Sequence, residues 1–155
     1  MIGEMTMPQF DARSEKNINT LVPKAQEKAR AFLQAVRDAG INAKIIDGSR
    51  TFKEQDALFA IGRTKPGHIV TNAKGGFSNH NFGVAWDIGI FDGTKFVTES
   101  SRYDKAGKIG KTLGLEWGGD FNSITDKPHF QCRTGKTTAA LRKLKKEGKD
   151  IPILD

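Results

Sequence analysis

One stretch concentrates the reactive side chains: Ser78-Asn79-His80-Asn81-Phe82-Gly83-Val84-Ala85-Trp86-Asp87. It sets an imidazole and a carboxylate seven positions apart, with a glycine between them. Far downstream, Asp126-Lys127-Pro128-His129-Phe130 carries a second carboxylate and a second imidazole. Two histidines and an aspartate are a ligand set for a catalytic zinc ion, with a fourth position left for water. Such an ion keeps net positive charge, so it acidifies water and polarises a carbonyl. A general base and an oxyanion donor would complete a hydrolytic site. Asp126 stands three residues before His129 and is a candidate base; Glu116 is the other acidic candidate. Arg50 is the candidate oxyanion donor, a fixed positive charge with planar donors.

Spacing alone leaves other readings open. His80 also suits a hydrogen-bonded core histidine, and a Ser-His-Asp triad through Ser78 is conceivable. Ser78 lacks a Gly-x-Ser-x-Gly elbow, so it reads better as a substrate contact or a support for the ligands. No HExxH occurs, which excludes a helix-borne zincin site, and no glycine-rich loop leads into Gly-Lys-Ser/Thr. His68, alone in a loop, reads as a solvated residue.

The elements that must position these groups follow from periodicity. Residues 1 to about 16 show none and read as an irregular arm. Pro23 suits a first helical turn, and Ala25, Ala29, Phe32, Leu33 and Val36 then form one apolar stripe ending near Gly40. Ile41 to Asp47 reads as a strand with Ala43 and Ile45 on one face. Thr51 and Glu54 have the form of a capping box, opening a helix with Leu58 and Phe59 inward. Arg50 therefore sits at a strand-to-helix junction, where a strand end can present a side chain to a cleft. Residues 63–79 form a long Gly-, Lys- and Asn-rich loop, with Ile69-Val70-Thr71 as a short strand; loops of this length are often functional. From Val84 to Phe91 the chain alternates: Val84, Trp86, Ile88 and Ile90 share one face, and Asp87 points to the other. Asp92-Gly93 signals a hairpin into Lys95-Phe96-Val97. A helix from Ser100 or Ser101 puts Tyr103, Ala106, Ile109 and Leu113 inward. Leu115 to Trp117 and Pro128 to Cys132 are further strands, the second with His129 and Gln131 on one face and Cys132 in the core. A last helix, about Thr138 to Glu147, faces Leu141 and Leu144 inward, and Ile151 to Leu154 packs back as a tail.

Bulk properties bound the rest. The 155 residues fit one domain, 1–155, with a core over about 20–134 and a basic helix and tail over 137–155. No apolar run approaches a membrane span, and MIGEMTMPQF is not an export signal. One cysteine excludes an internal disulfide. The net charge of +7 predicts attraction to polyanions, and Arg142-Lys143-Leu144-Lys145-Lys146 holds much of it. Nucleic acid as a partner rests on charge alone and is not expected.

The pattern Ser78-x-His80-x-x-Gly83-x-Ala85-x-Asp87 with Asp126-x-x-His129 resembles the zinc D,D-/L,D-peptidases of the VanY and D-alanyl-D-alanine carboxypeptidase group. It is most similar to their L-alanyl-D-glutamate endopeptidase branch, which includes phage endolysins. The likeness takes in Gly48-Ser49-Arg50-Thr51, Glu54-Gln55 with Leu58, Gly62-Arg63-Thr64 with Pro66-Gly67, and Glu116-Trp117-Gly118-Gly119. It implies His80, Asp87 and His129 as ligands of one zinc ion, Asp126 as general base, and Arg50 at the substrate or oxyanion. Ser78, Gln55 and Trp117 map onto substrate-lining positions. Some relatives have Glu where Asp126 stands. The implied fold is α+β, a single small domain with helices on a mostly antiparallel sheet, of the Hedgehog/D,D-peptidase type.

The expected activity is cleavage of the L-alanyl-D-glutamate bond of the peptidoglycan stem peptide by a monomer. Without an export signal, the expected route is synthesis in a host cytoplasm and holin-type release to the cell wall. A chain too short for a separate wall-binding domain points to a Gram-negative phage or prophage. The basic C-terminal helix would help it reach anionic wall or outer-membrane surface. The alternatives are a D-Ala-D-Ala carboxypeptidase, with Arg50 or Arg63 for the free carboxylate, and a zinc-structured wall-binding module without catalysis.

Overall fold

The structure is a computed structural model and describes residues 8–155. Ten regular elements follow in order: α1 (Ala12–Ile18), α2 (Pro23–Asp38), β1 (Ala43–Asp47), α3 (Phe52–Ala60), β2 (Ala85–Asp92), β3 (Lys95–Val97), α4 (Ser101–Thr112), β4 (Glu116–Trp117), β5 (His129–Gln131) and α5 (Thr138–Lys146). Short 3₁₀ turns occupy Asn79–Phe82 and Gly118–Asp120. The strands form one antiparallel sheet in the order β1-β2-β5-β4, with β3 paired to β2 as a hairpin. This is the expected α+β architecture. Among the described residues, no helix is long and apolar enough to cross a membrane.

The alternation of β2 divides the sheet as its sequence predicts. Trp86, Ile88 and Ile90 are fully buried beneath α2, whose Phe32 ring lies 4.4 Å from that of Phe130 and 6.0 Å from that of Trp86. Removing such a ring costs about 3–5 kcal/mol, a large part of a small domain's stability. With that face locked into the core, Asp87 has to face the other way, because a one-residue slip would expose every apolar side chain of β2. The register sets Asp87 opposite His129 on β5 and opposite Asp47 on β1. Cross-strand partners put their Cβ atoms about 5 Å apart on one face, so pairing alone brings two of the reactive groups together.

Four expectations need correction. The irregular arm is in part a helix: Asp11 caps α1, while residues 1–7 lie outside the described residues. This helix lacks an apolar stripe because its anchors to β1 are polar, Ser14 Oγ accepting from Ile45 N and Asn17 Nδ2 donating to Ile45 O. Ile69-Val70-Thr71 forms no strand; Ile69 and Val70 are over half exposed, at 52% and 54%, and no sheet edge reaches them. The buried residue of α3 is Gln55, whereas Leu58 and Phe59 are only half-buried. On α4, Leu113 is exposed and the helix instead buries Tyr103, Ala106, Gly107 and Gly110. The two glycines are there for space: a Cβ on Gly107 would lie 2.3 Å from the Trp117 ring, and one on Gly110 would lie 2.8 Å from that of Phe130.

Candidate metal centre

His80 reaches the sheet from a 3₁₀ turn. Ser78 caps that turn, its Oγ accepting from His80 N, and Gly83 closes it in the left-handed conformation at φ 72°. The His80 carbonyl accepts from Arg50 N at 2.8 Å, tying the turn to the end of β1. The three elements converge: His80 Nε2 lies 3.1 Å from His129 Nδ1, and Asp87 Oδ1 lies 3.3 Å and 3.4 Å from those two nitrogens.

The far side of each ring fixes which nitrogen carries a proton. His80 Nδ1 lies 2.8 Å from Gly48 O, and a carbonyl can only accept, so Nδ1–H donates and Nε2 keeps its lone pair. His129 Nε2 lies 2.6 Å from Gln131 Oε1. Gln131 Nε2 donates to Glu116 Oε1 at 3.1 Å, which orients the amide with its oxygen towards His129. His129 Nδ1 therefore also presents a lone pair. Two lone pairs and a carboxylate oxygen face one point. Asp87 Oδ1 is buried without a hydrogen-bond partner, an arrangement a cation would relieve. Tetrahedral ligands about 2.1 Å from a zinc ion stand about 3.4 Å apart, close to the separations found. His80, Asp87 and His129 thus fit one ion.

Without an ion, the negative charge of Asp87 draws a proton to the His129 imidazole beside it, the place a cation would take. Burial works against the charge on Asp87, but the neighbouring His80 and His129 overcome it and hold the carboxyl well below the usual carboxylate range. Burial lowers the proton affinity of His129, and Asp87 and Gln131 reverse that, leaving it raised. Burial, then the negative charge of Asp87, raise the pKa of Asp126. Cys132 is buried in the core as expected, its thiol pushed up to about 12, and it takes no part in the centre.

A cleft of about 490 Å³ opens over the centre, lined by His80, Asp87 and His129 together with Arg50, Ser78, Phe77, Ile124 and Asp126 among others. Gln55 and Trp117 are not in that lining. Gln55 lies behind it, its Oε1 accepting from Arg50 Nη1 at 3.1 Å and its Nε2 donating to Ala73 O at 2.8 Å. Trp117 packs its ring on Gly107 and Gly119 and donates from Nε1 to Lys127 O at 2.7 Å, steadying the loop that carries Asp126. Glu116 reaches the centre only through Gln131 and His129, as a support for a ligand. Nothing in the sequence pattern announces this Glu116-Gln131-His129 chain, since it depends on the β4–β5 register of Glu116 opposite Gln131.

Arg50 holds the second oxygen of Asp87. Its Nη2 donates to Asp87 Oδ2 at 3.1 Å and pairs with Asp47 Oδ2 at 2.6 Å, while Nε donates to Asp47 Oδ2 at 2.8 Å. Oδ2 is thereby bound to the guanidinium and Oδ1 is left for an ion. With Gln55 on Nη1, three of the five guanidinium N–H groups are hydrogen-bonded and two remain.

Asp126 is placed by a close backbone approach. Its N donates to Gly118 O at 2.9 Å and its O accepts from His129 N at 3.1 Å. A Cβ on Gly118 would lie 2.1 Å from Asp126 O and 2.9 Å from His129 Cβ. Gly118→Ala is therefore expected to displace Asp126 and His129 together. It should lower stability by about 1–3 kcal/mol and kcat by about 10²-fold. Thermal unfolding and initial rates check this, and a variant with parental rates would show that the loop absorbs the methyl group.

The family model described as D-alanyl-D-alanine carboxypeptidase matches residues 71–132. The chain is 41% identical over 121 residues to the peptidoglycan L-alanyl-D-glutamate endopeptidase CwlK of Bacillus subtilis (strain 168), spanning 72% of this chain and 72% of that protein. It is 31% identical over 125 residues to the L-alanyl-D-glutamate peptidase of a Listeria phage, spanning 79% of this chain but 41% of that longer protein. Among solved structures, the Serratia marcescens L-Ala D-Glu endopeptidase ChiX superposes with a TM-score of 0.59 at 24% identity, over 79% of this chain and 87% of that one. VanYB in complex with D-alanine-D-alanine superposes at 0.56 and 20% identity, over 84% and 80%. Both structures share the fold.

Proposed function

We propose, for a chain that belongs to the D-alanyl-D-alanine carboxypeptidase-like family of metallopeptidases, that it is a zinc-dependent peptidoglycan hydrolase cutting the L-alanyl-D-glutamate bond of the stem peptide. The observation that carries this reading is the convergence of three ligand atoms within 3.4 Å of one another, in a cleft that also holds Asp126. A zinc ion bound there supplies a Lewis acid for the scissile carbonyl and lowers the pKa of water. Asp126 takes the proton of the attacking water and returns it to the departing amine. A free N–H of Arg50 donates to the substrate carbonyl oxygen as charge builds on it. Ser78 lies on the cleft wall and contacts substrate, while Gln55 and Trp117 act from behind by holding Arg50 and the Asp126 loop.

One observation favours an endopeptidase over a D-Ala-D-Ala carboxypeptidase. A terminal carboxylate in the cleft would need a free cation. Arg50 keeps a free donor, but its positive charge is already offset by two carboxylates, Asp47 and Asp87. Arg63 is not itself in the cleft lining: it stacks on Phe59 at 3.8 Å and is tied up behind the wall, donating to Phe59 O, Thr71 O and Asn72 Oδ1. A digest of purified peptidoglycan with and without a chelator, read by mass spectrometry, tests the reading. New N-terminal D-Glu, lost on chelation, is expected. Release of terminal D-alanine would make it a carboxypeptidase, and binding without cleavage would make it a wall-binding module.

We read the chain as a monomer of endolysin type; the phage origin of one relative and the peptidoglycan endopeptidase name of another support the role. Lys143, Lys145 and Lys146 on the exposed side of α5 supply a cationic face for anionic wall or outer-membrane surface. Reversing these three charges is expected to slow lysis several-fold at low salt and little at high salt, where the Debye length shrinks. Turbidity clearing across an ionic-strength series measures it, and unchanged low-salt lysis would remove the role.

A further inference from the structure

The cleft has one wall that the metal centre does not explain. Phe77 lines it and remains 43% exposed, yet its ring is held. The Arg142 guanidinium carbon lies 3.8 Å from the ring centroid, and Arg142 Nη1 donates to Gly76 O at 2.9 Å. Arg142 is not part of the cleft lining and approaches from α5, which Leu141 anchors in the core. On its other side the same loop is pinned by Asn81, whose Oδ1 accepts from Gly76 N at 3.0 Å and Ser78 N at 3.3 Å. Asn81 Nδ2 in turn donates to Arg50 O and Thr51 O. The loop carrying Phe77 is thus clamped between the turn that presents His80 and the C-terminal helix.

We propose that Arg142 is a positioning residue for substrate: by stacking on Phe77 and holding the Gly76 carbonyl, it sets Phe77 as an apolar wall for the peptide entering the cleft. This rests on the cleft being a stem-peptide site. A polar catalytic centre orients a ligand with a few groups, and apolar walls supply most of the contact area. Phe77 provides such area only if its ring is fixed beforehand, since ordering it on binding would weaken affinity. A planar guanidinium can stack on a ring and donate in its own plane at once, which an ammonium cannot. The α5 helix therefore serves the cleft through Arg142, separately from the cationic face of its lysines.

The test uses the full chain loaded with zinc and a soluble muropeptide. Arg142→Ala is expected to raise KM about 5–10-fold with kcat within twofold and zinc content unchanged. Arg142→Lys should not restore KM. Phe77→Ala should raise KM similarly, Phe77→Trp should keep it near the parental value, and the double Ala variant should show much less than the product of the two effects. Hydrogen exchange at the amides of Gly76, Phe77 and Ser78 should quicken in Arg142→Ala, a readout independent of turnover. An unchanged KM in Arg142→Ala, full restoration by lysine, or independent effects of the two residues would each overturn the proposal. If the parent protein cleaves no muropeptide, the functional reading fails. The exchange data then still decide whether Arg142 holds the loop.

Discussion

An Asp126→Ala protein is expected to fold and bind zinc like its parent while cleaving peptidoglycan about 10²–10⁴-fold more slowly, the usual contribution of a positioned general base. The side chain can go without disturbing the loop, because the loop is held by backbone bonds of Gly118 to Asp126 and of Asp126 to His129, and by Trp117 on Lys127. Its carboxyl lies in the cleft near Asp87, which raises its pKa together with burial. That shift belongs to the metal-free centre, and an ion bound beside Asp87 would oppose it. Its consequence there is for stability. A carboxyl with a raised folded-state pKa weakens the fold once it ionises, at pH above that pKa, and has no such effect below its unfolded value. In the metal-free protein at pH 7, Asp126→Asn should therefore melt higher than the parent while remaining inactive. Calorimetry of the chelated proteins and initial rates check both outcomes. An Asp126→Ala enzyme retaining a tenth or more of parental kcat would move the base elsewhere in the cleft.

The parts of this site legible in the sequence are those governed by local periodicity. Strand alternation gave Asp87 its direction and put His129 and Gln131 on one face. The Thr51–Glu54 pair is realised as a capping box that starts α3 directly after Arg50. What escaped local reading depends on partners distant in the chain. Gln55 is the inward residue of α3 because that helix backs onto a polar centre, so an apolar stripe misleads there. Leu113 looked inward by spacing, but the Trp117 and Phe130 rings claim the helix face at Gly107 and Gly110. Ile69 to Thr71 has strand-forming residues and no strand to pair with, which shows β-propensity yielding to context. Arg50 was legible as a charge at a junction; its grip on Asp87 Oδ2 required the β1–β2 register.

That division of the Asp87 carboxylate leads to the second large effect. Asp87→Asn is expected to lose zinc at ordinary concentrations and to cut at least about 10³-fold more slowly, the loss of several kcal/mol of charge stabilisation in the transition state. The substitution keeps shape and volume, so Arg50 still finds an oxygen, but the amide brings no negative charge to the two imidazoles. In the parent, zinc at a thousand times its dissociation constant should add about 4 kcal/mol to stability, and chelation should remove it. Asp87→Asn should show no zinc-dependent shift in melting. Acid discriminates further. The depressed pKa of Asp87 means that its stabilisation in the metal-free parent is present above the unfolded aspartate value and is lost as pH falls through the folded one. The metal-free parent and Asp87→Asn should therefore differ in stability at pH 7 and converge in strong acid. If Asp87→Asn binds zinc as tightly as the parent, the ion is held without this carboxylate. The free Oδ1 would then need another explanation. If the variant loses zinc but His129→Ala does not, the ligand set is wrong at β5, because the cross-strand pairing of Asp87 with His129 makes the two residues one half of a single site.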